Sequence, residues 1–230
     1  MALFDANYSL ISIQAGASGR RGDANVFHNS KFGKKLNMRK LNLPPPCPVV
    51  GAKGDLPFVF VGDNAFNRSE NMVTPYKGAF QPPINRVLNY RVSRARNVSE
   101  NGFGIMVARF GILQKAINGS EELADATILG TAVLHNWLLM IEQELPSGER
   151  TYCPKSFTDR YRADGSIVRG EWRGEIPELE DACLEYLTSA VEGAEPWGEE
   201  RLDGDLVSLQ FAEYFIQNDV PWQWDRTYLM

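Results

Sequence analysis

Apolar positions fall in short runs over the first third of the chain and in long helical stripes after it. Residues 2–4 and 9–13 are brief apolar or alternating runs separated by Asp5-Ala6-Asn7-Tyr8. Asp and Asn side chains bond the nearby backbone and favour turns, so these runs are read as a hairpin. Residues 16–22 form a glycine-rich loop carrying Arg20 and Arg21, and 25–37 suit a short helix that runs into a basic stretch at 34–40. Leu43-Pro44-Pro45-Pro46-Cys47-Pro48 lacks four backbone donors and is read as an extended surface connection. Residues 57–62, with Phe58-Val59-Phe60-Val61 at their centre and Asp63 directly after, read as a strand buried in a covered sheet. A further strand is expected at 71–76, stopped by Pro75 and Gly78.

The helical pattern then dominates. Residues 85–107 are periodic and strongly basic, with Arg86, Arg91, Arg94 and Arg96, although Gly102 and Gly104 should each weaken the helix by about 1 kcal/mol relative to alanine. Residues 121–144 predict a second long helix whose apolar face includes Leu123, Ala126, Leu134, Trp137, Leu138 and Ile141. Leu134, Trp137 and Ile141 are expected to be buried against the first half or the tail. Beyond Ser147 the chain turns acidic and irregular, with helices expected near 177–192 and 206–218. No internal repeat or long low-complexity tract occurs.

Composition narrows the class. A hydrophobic fraction of 43% and an aromatic fraction of 11% suit a chain with a real core. No run of about 18 apolar residues occurs, so no membrane span is expected, and residues 1–5 lack the features of a secretory signal. Cys47, Cys153 and Cys183 lie far apart, which argues for a reducing compartment and against a disulfide framework or a zinc site. The net charge of −5 hides an asymmetry: residues 1–120 hold 16 basic and 6 acidic side chains (+10), whereas 121–230 hold 8 and 23 (−15). A basic half suggests a surface for polyanions, although solvated faces that merely differ in sign remain the alternative.

Several blocks occur in an order that resembles one family. They include Phe4-Asp5-Ala6-Asn7-Tyr8, Gly22-Asp23-Ala24-Asn25 running on to Asn29-Ser30, Val61-Gly62-Asp63-Asn64-Ala65-Phe66, and Thr74-Pro75-Tyr76. The most specific runs from Asn89-Tyr90-Arg91 through Arg94-Ala95-Arg96 to Glu100-Asn101-Gly102-Phe103-Gly104. Leu134-His135-Asn136, Tyr152-Cys153-Pro154, Gly170-Glu171-Trp172-Arg173 and Pro221-Trp222-Gln223 follow. Together they resemble the DDE superfamily endonucleases of PIF/Harbinger type, the Harbinger transposase-derived nucleases. The resemblance implies an α/β, RNase H-like mixed sheet over residues 1–118, with a helical, acidic extension over 119–230 packing on it. It also implies an N-terminal truncation, because the strand that carries the family's first catalytic Asp would precede this chain.

The family cuts DNA with carboxylates that hold divalent metal ions, Mg²⁺ or Mn²⁺. Two hard cations about 4 Å apart activate the attacking oxygen and stabilise the leaving one, and carboxylate oxygens are their natural ligands. By resemblance, Asp63 and Glu100 are the catalytic pair and Asp23 joins them as a metal ligand, with the Asp63 and Glu100 carboxylates expected within roughly 4–7 Å. Read without the family, Asp63 is equally a turn or helix cap, Asp23 a helix cap, and Glu100 the partner of Arg96, four residues before it on a helix face. Lys34, Lys35, Arg39, Arg91, Arg94 and Arg96 are candidate DNA-phosphate contacts, or else a solvated helix face. His135 reads as a satisfied core residue, and Trp222 and Trp224 as anchors docking the tail.

The function expected is a divalent-metal-dependent DNA endonuclease of transposase descent, weak or inactive in this chain. The alternative is a catalytically dead DNA- or protein-binding module. A nuclear location, or otherwise a cytoplasmic one, and a separate Myb-like DNA-binding partner protein follow from the resemblance alone.

Overall fold

The structure, a computed structural model, describes residues 1–16, 22–78, 80–176 and 202–227. The helix expected at 177–192, Arg20, Arg21 and Cys183 lie outside the described residues. The architecture is mixed α/β, with four two-stranded sheets and several helices among the described residues. The chain forms two compact units, one joining Met1–Arg21 to Asn97–Ser189 and the other joining Gly22–Arg96 to Ala190–Met230. The division falls within one continuous helix, α3 (Pro83–Arg109), which opens with a proline where no donor is needed.

The first unit begins with the expected hairpin, β1 (Ala2–Phe4) antiparallel to β2 (Leu10–Ile13). Its turn is set by Asp5, whose Oδ1 accepts the N–H groups of Asn7 and Ser9 at 2.8 and 2.9 Å, while Tyr8 takes φ 68. The C-terminal part of α3 follows, then a 3₁₀ turn at Gly111–Gln114 and α4 (Glu121–Gln143). Ser120 Oγ caps α4 by accepting Leu123 N–H, and Glu121 and Glu122 sit where the positive end of the helix dipole favours them. A second hairpin pairs β7 (Arg160–Tyr161) with β8 (Ile167–Val168), and α5 (Trp172–Glu175) closes the described part. The core gathers Ile105, Leu139, Tyr152, Phe157, Trp172 and Ile176, with a second cluster of Phe4, Met106 and Ala132.

This core explains two glycines that weaken α3. A Cβ on Gly102 would stand 2.5 Å from the Phe4 ring, and one on Gly104 would stand 2.4 Å from the Trp172 ring. Both sites are closed by aromatic rings, so close packing outweighs helix propensity there.

In α4 the expected burial is overturned. Leu134, Trp137 and Ile141 are 46%, 52% and 41% exposed, whereas Thr131, Ala132, His135, Leu139 and Glu142 are buried. The buried stripe keeps helical spacing, but its polar members turn inward because each finds a specific partner. His135 Nε2 lies 2.8 Å from the Tyr8 carbonyl, so it carries the proton, and Nδ1 accepts from the Tyr152 hydroxyl at 2.7 Å. Burial lowers its pKa and keeps the ring neutral. His135 is therefore a core residue, as expected. Glu142 accepts the N–H groups of Thr151, Tyr152 and Cys153, and Asn136 exchanges two bonds with the Leu10 backbone. By length and composition α4 is also long and apolar enough to cross a membrane, with a mean hydropathy of 1.3 over its best window. Its His135, Asn136 and Glu142 bonds make it a packed element of this unit.

In the second unit the helix expected over 25–37 is two helices, α1 (Asp23–Asn29) and α2 (Lys31–Asn37), broken at Ser30. Ser30 leaves helical geometry at ψ 156, and its Oγ caps α2 by accepting Gly33 N–H at 2.9 Å. Pro44, Pro45 and Pro46 are exposed, but Cys47–Pro48 (β3) pairs with Asp55–Leu56 (β4). The strand expected over 57–62 shrinks to β5 (Phe60–Val61), paired in parallel with β6 (Met72–Val73). Phe58 and Val61 are exposed, so this is not a covered central strand. Among the described residues β5 has one neighbour, and Phe60 finds cover by an edge-on contact with Phe32. The N-terminal part of α3, α6 (Leu202–Gln217) and α7 (Gln223–Thr227) complete the unit around Val73, Leu88, Val92, Val207 and Ala212.

Candidate functional site

Asp63 follows β5 in the second unit. Its Oδ1 accepts Ala65 N–H at 2.8 Å, and its carbonyl accepts Phe66 N–H at 3.2 Å, so the residue closes the turn after the strand. Gly62 lets that turn lie against Phe66 and Met72, which a Cβ would meet at 2.8 and 3.2 Å. Oδ2 lies 3.9 Å from Nη2 of Arg96. Asp23 belongs to the same unit and opens α1.

Glu100 belongs to the first unit and is nearly half exposed on α3, with Arg173 Nη2 3.5 Å from its Oε2. That guanidinium is itself anchored. Arg173 Nε and Nη2 donate to Asp159 at 3.0 and 2.5 Å, and the Asp159 side chain is 2% exposed. Burial pushes the Asp159 carboxyl upward, but hydrogen bonds from Arg173 and Gly170 N–H outweigh it and hold the pKa low. Hydrogen bonding to Asp159 raises the Arg173 pKa against the effect of burial. Asn101, one residue past Glu100, accepts Asp159 N–H and Trp172 Nε1–H, both at 2.9 Å. Sequence reading noted Gly170-Glu171-Trp172-Arg173 as a block but missed Arg173 as the partner of Glu100. The nearer cation by sequence, Arg96, drew the pairing instead, and it lies beside Asp63.

The candidate phosphate contacts divide by their partners. Lys34 and Lys35 are exposed in the last turn of α2. Arg39 Nη2 is shared between Glu70 at 3.1 Å and Asp203 at 2.8 Å. Arg91 Nε donates to Gln223 Oε1 at 2.8 Å and Nη2 to the Asn218 carbonyl at 3.2 Å; its pKa is lowered by burial and by neighbouring Arg94. Arg94 donates to the Tyr90 hydroxyl at 3.0 Å and lies 5.7 Å from the Trp222 ring centre. Arg91 and Arg94 thus pin α3 to the tail of the same unit, through the fully buried Gln223 as well as Trp222. Trp224 Nε1 donates to Asp219.

Within neither unit do three His, Cys, Asp or Glu side chains among the described residues gather into a set that could hold a metal ion. Asp63 and Glu100 each face an arginine. Among the described residues, neither carboxylate stands within its own unit in a set of side chains that would hold a metal ion.

No curated protein and no solved structure matches the chain. A family model described as DDE superfamily endonuclease matches residues 1–136. That match covers more than half of the 230 residues, and it contains Asp23, Asp63, Glu100 and every candidate phosphate contact named above. The chain belongs to the DDE superfamily endonuclease family.

Proposed function

We propose that this chain is a Harbinger-type, transposase-derived nuclease domain of RNase H-like descent that binds DNA and cuts it weakly or not at all. The observation that carries the reading is the state of its two candidate catalytic carboxylates. By the resemblance Asp63 and Glu100 stand at the family's catalytic positions, and each lies beside an arginine, Arg96 at 3.9 Å and Arg173 at 3.5 Å. A guanidinium beside a carboxylate opposes a divalent cation at the same oxygens. For any cutting that persists, dependence on Mg²⁺ or Mn²⁺ is what the family resemblance implies. The exposed Lys34 and Lys35 support contact with phosphates, and nuclear residence with a separate Myb-like partner belongs to the same proposal.

The test is purified chain on supercoiled plasmid with Mg²⁺ or Mn²⁺, beside Glu100→Gln, together with DNA binding by fluorescence anisotropy. Binding with little nicking is expected. Robust nicking that disappears in Glu100→Gln would refute the weak-or-inactive reading. Absence of DNA binding at low salt would refute the DNA-binding part.

A further inference from the structure

The first unit holds an open cavity of about 370 Å³ whose walls include Arg150, Lys155 and Arg160. The three cations come from successive short segments after α4, and each segment is fixed beneath its side chain. Glu142 binds the backbone N–H groups that follow Arg150, at Thr151, Tyr152 and Cys153. Past Lys155, Phe157 N–H closes a turn on the Pro154 carbonyl at 2.9 Å. Arg160 is flanked by two residues tied to α3: Asp159 N–H donates to Asn101, and Asn97 Nδ2 donates to the Tyr161 hydroxyl at 3.2 Å. Those ties fall on the helical turn that carries Glu100.

The balance of charge in the lining favours an anion. Glu142 is the one acidic side chain among the lining residues, against Arg150, Lys155 and Arg160, and its carboxylate is buried and occupied by three backbone donors. Among the described residues Lys155 and Arg160 are exposed with no ion pair, and Arg150 bonds only to the Leu145 carbonyl, at 3.3 Å. Between residues 150 and 162 the chain has four Lys or Arg and one acid, Asp159, which Arg173 already neutralises. In a protein of net charge −5 this is a local reversal of sign. Cations around a concave wall raise the local concentration of anions.

We propose that this cavity is a phosphate-backbone subsite for a nucleic-acid strand, an assignment that rests on the DNA-binding reading above. A strand carries phosphates at regular spacing, which suits cations on separate, rigid segments around an open cavity. The site adds contacts that sequence reading did not assign, all of them outside the basic half of the chain.

The experiment measures anisotropy of a labelled single-stranded oligonucleotide over a salt series. It compares wild type, the double variant Lys155→Gln/Arg160→Gln, and Lys34→Gln/Lys35→Gln as a reference at the other candidate surface. Each phosphate contact contributes a slope of about 0.7 in log K against log salt. Loss of both contacts lowers the slope by about 1.4 and the affinity by about 25-fold at 0.1 M salt. Both substituted side chains are exposed, and circular dichroism checks that the fold is kept. A double variant that binds with wild-type affinity and slope overturns the subsite and leaves the DNA reading standing. A wild type that binds duplex DNA but not the single-stranded oligonucleotide overturns the subsite alone, and one that binds neither overturns both. Wild-type binding to inorganic pyrophosphate without binding to the oligonucleotide replaces the strand with a small phosphate ligand and also overturns the proposal.

Discussion

Arg173 grips Asp159 through both Nε and Nη2, at 3.0 and 2.5 Å, with the Asp159 side chain almost wholly removed from water. The pair joins the residue that precedes β7 to α5, and Gly170 N–H adds a third donor to the same carboxylate. Removing one member of a buried pair leaves the other charge uncompensated, at a cost of roughly 3–5 kcal/mol. Arg173→Gln and Asp159→Ala are each expected to destabilise the protein on that scale. Urea denaturation measures it, and a loss below about 1 kcal/mol would show that the pair is no more than an exposed contact.

Acid should weaken the protein in two stages. His135 has a lowered pKa in the fold, so below its ordinary value of 6.5 the unfolded chain gains a proton that the folded chain refuses. Stability is therefore full above pH 6.5 and falls as pH drops toward the folded pKa. The second stage comes from carboxylates. Burial raises the Glu142 pKa, but the N–H groups of Tyr152, Cys153 and Thr151 outweigh it, and Asp159 is likewise held low. Their contributions are present above the ordinary carboxylate values and are lost as pH falls through the lower folded ones. His135→Gln is expected to abolish the first stage and keep the second. Wild type equally stable at pH 7.5 and 5.5 would contradict the neutral, buried imidazole.

On α4, the exposed Trp137 and the buried Leu139 make a direct comparison. Trp137→Gln should change stability by no more than about 0.5 kcal/mol, as for other surface positions. Leu139→Ala should cost about 2–5 kcal/mol, since Leu139 sits in the core with Tyr152, Phe157 and Trp172. Thermal unfolding of both variants separates the observed face from the one that periodicity suggests. A larger loss at Trp137 than at Leu139 would restore the face expected from sequence.

Helix positions were legible because their signals are local. The 85–107 and 121–144 patterns fall on α3 and α4 within a few residues, and Asp5 and Asn7 marked a real turn. Burial was less legible, because an apolar stripe reports what can be buried rather than what meets a partner. The inward polar stripe of α4 depends on Tyr8, Tyr152 and the 151–153 backbone, all distant in sequence. The run at 58–61 carried the signature of a covered strand, but periodicity does not count neighbours, and β5 has one among the described residues. At the candidate site, position on a motif marked Asp63 and Glu100, whereas their arginine partners follow from packing. Arg173 lies 73 residues beyond Glu100 in the numbering, and no short-range pattern joins them.

The same substitution should have opposite signs at two helical glycines. Gly104 in α3 faces Trp172, and a Cβ there would stand 2.4 Å from the indole, closer than any real contact. Gly130 in α4 is exposed, and a Cβ there meets nothing within 4 Å. Alanine gains about 1 kcal/mol of helix propensity at either site. At Gly104 that gain competes with overpacking, which costs about 1–3 kcal/mol when the neighbours must shift. Trp172 has little freedom to shift, because it lies in the core and its Nε1–H is held by Asn101 at 2.9 Å. Overpacking therefore wins, and Gly104→Ala is expected to lower the melting temperature while Gly130→Ala raises it. Because Asn101 also receives Asp159 N–H, a displaced indole should loosen the Asp159–Arg173 pair, and with it the arginine beside Glu100. Gly104→Ala combined with Arg173→Gln should then cost less than the sum of the two single losses. Strict additivity, measured in a double-mutant cycle, would show that the Trp172 contact and the Arg173 pair act independently.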